Sequence, residues 1–288
     1  MSEGEQKLVD TSGDYLYAIK SGEPLADASW RSCRIVLTDK RLVLSTNSNK
    51  QAIPHSKIRL LKDETTLPET YQDGRATPLR IGSNVILVDA QQVDSFEIEF
   101  CRAALHDEVI LTKHPAKVGG VVQDDASWSK AKFRLNGDRI SLRLPENQTL
   151  SFPIEDVGTI ETAQQHVMGE ERTIVEAEHT DEDDRSVETH LSGTDRHTEA
   201  LDSLLTTTIE QREDEYELSE VESQVLMALY SGVSPFEIAD FVGIPVDEVE
   251  EVYQTLLEAG AVDKIRTRTE VSLNAHGRNL ASEAMNER

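Results

Sequence analysis

Histidine, cysteine and carboxylate are the side chains of this sequence that could carry chemistry, and their spacing argues against catalysis. The eight histidines stand at positions 55, 106, 114, 166, 179, 190, 197 and 276, and these separations match no metal-ligand motif. Cys33 and Cys101 are the two cysteines, so there is no C-x-x-C pair. Two are too few for a disulfide framework and suit a reducing compartment. Each falls in an apolar stretch that reads as a strand, so each is expected to be a small buried hydrophobe. His190 and His197 flank a turn and are expected at the surface. Asp183 and Asp184 sit in an acidic turn and are expected to be solvated. There is no G-x-x-x-x-G-K-[ST] phosphate loop, no G-x-G-x-x-G turn for a dinucleotide and no G-x-S-x-G elbow for a nucleophile. No catalytic set, cofactor site or metal site is expected, and the expected function is docking to another protein.

The charge pattern bears on what could dock. The 288 residues include 54 Asp plus Glu against 29 Lys plus Arg, for a net charge of -25. Each phosphate contact to a nucleic acid needs a cation, so general nucleic-acid binding is disfavoured. Arg outnumbers Lys by 18 to 11. Such an acidic, lysine-poor surface resembles proteins of salt-accumulating organisms. At about 1 M salt the Debye length is about 3 Å, so self-repulsion is weak and hydrated carboxylates keep the chain soluble. The excess is uneven. Residues 1–120 hold 15 basic and 17 acidic residues, residues 121–213 hold 9 and 21, and residues 214–288 hold 5 and 16. The near-neutral first segment has two readings: its cations balance neighbouring acids, or they keep one face ready for an acidic partner. Strand alternation turns Arg34 away from Cys33 and Ile35, and sets Lys57 and Arg59 against Ile58 and Leu60. Arg34, Lys57 and Arg59 are therefore the candidate partner contacts.

The elements that position these residues come from an internal repeat. At an offset of 98, Trp30 matches Trp128, Leu37 matches Leu135, Arg41 matches Arg139 and Leu44 matches Leu142. At an offset of 99, "IPHSKI" from Ile53 matches "FPIEDV" from Phe152, so one residue slips in the hairpin between. Each copy alternates as strands, with polar turns at Thr38–Lys40 and Asn136–Gly137. Further strands are expected over 81–88, 96–104, 108–112, 172–179 and 186–191. The second copy ends in a helix with the stripe Leu201, Leu204, Leu205, Thr208 and Ile209. The first copy shows no obvious closing helix. A meander of about seven strands closed by an amphipathic helix is the pattern of a pleckstrin-homology-like (PH-like) barrel, and "LTDKRLVL" with "IPHSKI" resembles its GRAM branch. The expected junction between copies is Lys117–Gly120, which gives domains 1–117, 118–213 and 214–288.

The last segment reads as three helices and a β-hairpin. Ser219 caps the first with Glu222 three residues on, Gly232 ends it, and Ser234, Pro235 and Gly243 bracket the second. Val249, Tyr253, Leu256 and Leu257 line the third. The order resembles a winged helix-turn-helix, whose third helix would enter the major groove in a DNA reader. Here that helix carries Asp247, Glu248, Glu250, Glu251 and Glu258, and no Lys or Arg occurs from Glu213 to Asp263. Only the wing is basic, at Lys264, Arg266 and Arg268. A winged-helix transcription regulator is thus the weaker reading. So is a PH/GRAM-type membrane-surface protein, because no tight cation cluster faces a headgroup. With no run of 18 apolar residues and a polar start, neither a membrane span nor a signal peptide is expected.

The fold class expected is α+β: two tandem PH-like barrels followed by a winged-helix domain. That order, in an acidic chain, is similar to the archaeal taxis protein family CheF. The residues that carry the likeness are "SCRIVLTDKRLVLST" and "AIPHSKIRLLKDET", their echo at Trp128 to Ile160, and "LSEVESQVLMALYSGVSPFEIADFVGIPVDEVEEVYQTLLEAGAVDK". The resemblance implies a cytoplasmic, non-enzymatic adaptor. It implies binding to the response regulator CheY, to CheC and CheD, and to archaellum motor proteins, with recruitment to the motor at the membrane. It transfers no site residues.

Overall fold

The repeat in the sequence is a repeat of whole sheets. The first sheet is built from β1 (Lys7–Lys20), β2 (Glu23–Pro24), β3 (Arg31–Thr38), β4 (Arg41–Ser45), β5 (Lys50–Pro54), β6 (Arg59–Leu60), β7 (Thr77–Ile81) and β8 (Asn84–Ala90), and helix α1 (Val93–Leu105) follows. The second is built from β9 (Val109–Val118), β10 (Val121–Val122), β11 (Ser129–Asn136), β12 (Arg139–Arg143), β13 (Thr149–Pro153), β14 (Thr159–Val167), β15 (Glu170–Thr180) and β16 (Ser186–Ser192), followed by α2 (Asp195–Glu215). This computed structural model describes all residues except 1–3, 26, 63–66, 72–75, 92, 182, 184, 216–217, 259–260 and 263–288.

Strand order is the same in both: β5-β4-β3-β1-β8-β7-β6, with β2 paired to β1, and β13-β12-β11-β9-β16-β15-β14, with β10 paired to β9. All pairs are antiparallel. Among the described residues the end strands of each path do not pair with one another, so each sheet is an open, curled half-barrel. β1 runs through the middle of its sheet, and Gly13 makes that possible. A Cβ there would sit 2.2 Å from the Asp89 carbonyl oxygen and 2.6 Å from Ile35 Cδ1.

Three sequence expectations need correction. Residues 96–104 are not a strand but the heart of α1, so the first repeat has its own helix. Phe96, Ile98 and Phe100 alternate like a strand, but Phe96, Phe100 and Ala104 also lie four apart. Burial of that helical face decides the outcome. The segment expected as the junction, Lys117–Gly120, is the end of β9 and the turn into β10. The chain crosses between sheets at His106–Glu108 instead. The strand expected over 81–88 is two strands, β7 and β8, which turn at Gly82 (φ 60°).

Residues 1–214 form one compact body because the two sheets share one core. Ile35, Leu37, Leu42 and Leu44 of the first sheet and Phe133, Ile140 and Leu142 of the second belong to the same buried cluster. The helices join them. Phe100 and Ala104 of α1 and Leu201, Leu204 and Leu205 of α2 lie in it. At the helix contact Ser203 Oγ donates to Glu97 Oε1 (2.5 Å) and lies 3.4 Å from the Cys101 thiol. Burial pushes that thiol up to about 12, so Cys101 is an inert packing residue. Cys33 is also buried.

Residues 215–288 form the second body. Its described part is α3 (Glu220–Tyr230), α4 (Ile238–Val242) and α5 (Val246–Glu258) around Val225, Ala228, Ile238, Val249, Val252 and Leu256. Ser219 and Glu222 form the expected capping box, and Gly243 (φ 82°) ends α4 in the left-handed conformation. The expected wing, with Lys264, Arg266 and Arg268, and the last helix lie outside the described residues. Among the described residues no helix is long and apolar enough to cross a membrane.

A shared core predicts shared unfolding of the first body. Trp30 precedes β3 and Trp128 precedes β11, so each repeat has its own fluorophore. The single-tryptophan variants Trp30→Phe and Trp128→Phe should show the same urea midpoint. Leu204→Ala should lower both midpoints together, at a cost of about 2–5 kcal/mol. Separate midpoints would mean that the repeats fold independently.

Candidate protein-docking surface

The three candidate contacts have different fates. Arg34 points outward from β3, as alternation requires, and its side chain is 64% exposed. It is not free. Its Nε donates to Asp10 Oδ1 at 2.7 Å and its Nη2 to Asp10 Oδ2 at 2.6 Å, across the β1–β3 pair. This fork, helped by Lys7 Nζ at 2.6 Å, holds the Asp10 carboxyl far below the usual range. Lys57 closes the short helical turn His55–Lys57 after β5 and is exposed, without an ion pair among the described residues. Arg59 alternates with the buried Ile58 and Leu60, its side chain is 42% exposed, and it reaches across to α2. Its Nε donates to Glu199 Oε2 (2.9 Å), its Nη2 to Glu199 Oε1, and its Nη1 to Asp195 Oδ2 (3.0 Å). Lys62 Nζ lies 2.5 Å from Asp202 Oδ2 on the same helix. Asp195, Glu199 and Asp202 stand at i, i+4 and i+7, one face of α2. Arg59 and Lys62 thus meet a row of carboxylates and fasten the first repeat to the second.

Sequence reading missed Lys50. Register places Lys50 opposite Ser45 and Ser45 opposite Arg34, in one row across β5, β4 and β3. Lys50 is exposed and forms no ion pair among the described residues. The outer face of this half-sheet therefore presents Lys50 and the Arg34–Asp10 pair, with Lys57 at the end of β5. Only pairing register could have revealed the row.

The histidines are more buried than their turn-like surroundings suggested. His190 and His197 are 5% and 6% exposed, not surface residues. His190 Nε2 meets Glu188 Oε1 at 2.5 Å, and its ring lies 6.2 Å from Trp128. Glu176, Glu188 and His190 offer three possible metal-ligand atoms within 4.8 Å of one another. Lys117 Nζ already sits 2.8 Å from Glu188 and 3.6 Å from Glu176, so an ammonium supplies the positive charge there. Inside the second half-barrel, His114 Nδ1 and His179 Nε2 both meet Thr189 Oγ1, at 2.7 and 2.8 Å. Phe152 stacks on His179 with ring centres 3.8 Å apart. Burial, and then the neighbouring His179, lowers His114 to about 4, and burial lowers His179 too.

The helical body offers a surface of another kind. Tyr230 is 96% exposed, Phe236 77%, Met227 66% and Phe241 65%. Around them the helices expose Asp240, Asp247, Glu248, Glu250 and Glu251. Exposed aromatic and methionine side chains on an otherwise acidic body suit protein docking better than phosphate binding.

Two family models match the chain. One, described as archaeal chemotaxis signal transduction system protein F, covers residues 7–211. A domain of unknown function covers residues 217–286. The chain is also similar to taxis protein CheF1 of Halobacterium salinarum, 39% identical over 291 residues, with all of each chain covered.

Two outcomes follow from the ion pairs and the buried imidazoles. Arg59→Ala should lower stability by about 1 kcal/mol, because its partly exposed pairs are solvent-screened, and the loss should shrink as salt rises. Lys57→Ala should leave the urea midpoint unchanged. Equal effects would contradict the seam. For histidine, the unfolded chain takes up protons near pH 6.5, whereas folded His114 waits until about pH 4. Stability should therefore fall as pH drops from 6.5 towards 4, and His114→Gln should flatten that slope in part. A midpoint independent of pH over this window would contradict the burial of these rings in neutral form.

Proposed function

The chain belongs to the archaeal CheF family of chemotaxis signal-transduction proteins, and on that premise we propose that it is a non-enzymatic adaptor with two separate docking surfaces. One surface receives the response regulator CheY, with CheC and CheD. The other engages a protein of the archaellum motor. The work takes place in the cytoplasm, with recruitment to the motor. On this reading the two half-barrels are PH-like modules used as protein docks, and residues 214–288 form a winged helix used in the same way.

The observation that carries this reading is the chemical difference between two surfaces in one chain. The outer face of the first half-sheet carries Lys50, Lys57 and the exposed Arg34 within a nearly neutral repeat. The helical body is acidic and exposes Tyr230, Phe236, Phe241 and Met227. An acidic regulator is attracted by the first and repelled by the second. Aromatic and methionine side chains are typical anchors of protein interfaces, where burying each ring contributes the most. Arg59 leaves the set of contacts, since its guanidinium is committed to α2. The acidic α5 also weighs against the DNA-reading alternative, because its exposed carboxylates would face phosphate.

The test is capture of purified response regulator and of archaellum motor proteins by the full chain at fixed salt. Lys50→Glu with Lys57→Glu leaves the Arg34–Asp10 pair intact and should weaken regulator capture about tenfold. Tyr230→Ala with Phe236→Ala should spare the regulator and weaken the motor partner. Unchanged regulator capture by the double reversal would overturn the first assignment. Loss of the regulator with the aromatic variant would exchange the two surfaces.

A further inference from the structure

We infer that the mouth of the second half-barrel is a binding site for an organic cation, an ammonium or guanidinium group on an alkyl stem. A cavity of about 440 Å³ opens there. Its walls include Thr112 and His114 of β9, Ser129 of β11, Asp125 of the β10–β11 loop, and Glu146 and Gln148 of the β12–β13 turn. These are acceptors or neutral groups, and no Lys or Arg lines the cavity.

Comparison of the two repeats shows that the space is specific to the second. Trp30 matches Trp128, so Arg31 corresponds to Ser129. Arg31 pairs with Tyr15 on β1, and Ser129 pairs with Thr112 on β9. Tyr15 and Tyr17 therefore hold the places of Thr112 and His114. In the first repeat the two tyrosine rings meet edge to face at 6.2 Å, Tyr15 is 2% exposed, and Tyr17 Oη donates to Gln51 Oε1 at 3.0 Å. That interior is filled. In the second repeat small and polar residues leave it open, with the Phe152–His179 stack behind.

Two features point to a ligand. Thr112 is 1% exposed, yet its Oγ1 has no hydrogen-bond partner in the structure. A buried hydroxyl left unsatisfied is costly, and a donor in the cavity that met it as the Thr112 side chain turned about χ1 would remove the cost. At the rim, Asp125 and Glu146 are exposed carboxylates without an ion pair among the described residues. Glu146 and Asn147 both have φ of 61°, in the left-handed region that non-glycine residues disfavour. This turn is also where the second repeat has its one extra residue. A cation held between the two carboxylates, with a donor reaching toward Thr112, matches the charge and the empty acceptor together.

The experiment is amide chemical-shift titration of the isotope-labelled full chain at fixed salt. The probes are Nα-acetyl-arginine methylamide, spermidine and, as neutral isostere, Nα-acetyl-citrulline methylamide. Saturable shifts at Thr112, Ser129 and Gln148 with the arginine probe support the site and assign it to a protein-borne side chain. Shifts with spermidine alone support it and assign a free amine. Glu146→Gln is a surface change and should weaken either about fivefold. Thr112→Tyr, which copies the first repeat, should abolish binding. Shifts of equal size with the citrulline probe, or no shift with any probe, would overturn the inference. None of these outcomes depends on which protein docks on the first half-sheet.

Discussion

Helices α1 and α2 pack together over apolar residues drawn from both sheets, and the other features of the first 214 residues follow from that contact. Each half-barrel is open, so its concave face must be covered by something. The cover is its own helix plus the neighbouring repeat, which is why Ile35 and Phe133 lie in one cluster. Polar groups at the helix contact are satisfied locally, through Ser203, Glu97 and Cys101. Burial supplies the bulk of the stabilisation because it scales with apolar area, and the ion pairs around it mainly set the register of the two repeats. Arg59 and Lys62 act in this second way, reading one carboxylate face of α2.

The same frame was then filled differently in its two copies. Where the first repeat packs Tyr15 and Tyr17, the second places Thr112 and His114. The change exchanges two phenol rings for a small hydroxyl and an imidazole, and it shifts the local chemistry from aromatic packing to a smaller, more polar interior. The strand order is untouched, because the inward positions of a strand can vary in size while the backbone ladder stays the same. One frame thus has a copy whose interior is packed with tyrosine rings and a copy that keeps a cavity of about 440 Å³.

Much of this was legible in the sequence, and what was not has physical causes. The matched Trp, Arg and Pro residues gave away the repeat, and the Ser219–Glu222 box with Gly232 and Gly243 gave the helices of the second body their limits. These signals are local. Helix α1 was missed because Phe96, Ile98 and Phe100 alternate, and only packing on the sheet selects the helical face. The junction was misplaced because Gly119–Gly120 looks like a linker but is a hairpin turn with positive φ at both residues. Arg59 finds its carboxylates 136 and 140 residues away, and His190 is buried by strand neighbours and Trp128. Contacts of that range depend on register, which one sequence does not display.

Charge has a different meaning at each level of this structure. Over the whole chain an excess of 25 negative charges sets solubility and repels phosphate. Within the first body the cations are largely committed to neighbouring acids: Arg34 serves Asp10, Arg41 serves Glu5, Lys117 serves Glu176 and Glu188, and Arg59 serves α2. Counting cations by segment therefore overstates what a partner can reach, since a guanidinium already forked onto a carboxylate keeps only its other N–H groups for a partner. What remains for recognition are the exposed cations without such a partner, the rim carboxylates of the second half-barrel, and the aromatic side chains of the helical body. Those three kinds of group lie in different parts of the chain. An exposed ammonium attracts a carboxylate, a rim carboxylate attracts a cation, and an exposed ring offers apolar area, so each kind of group suits a different chemistry.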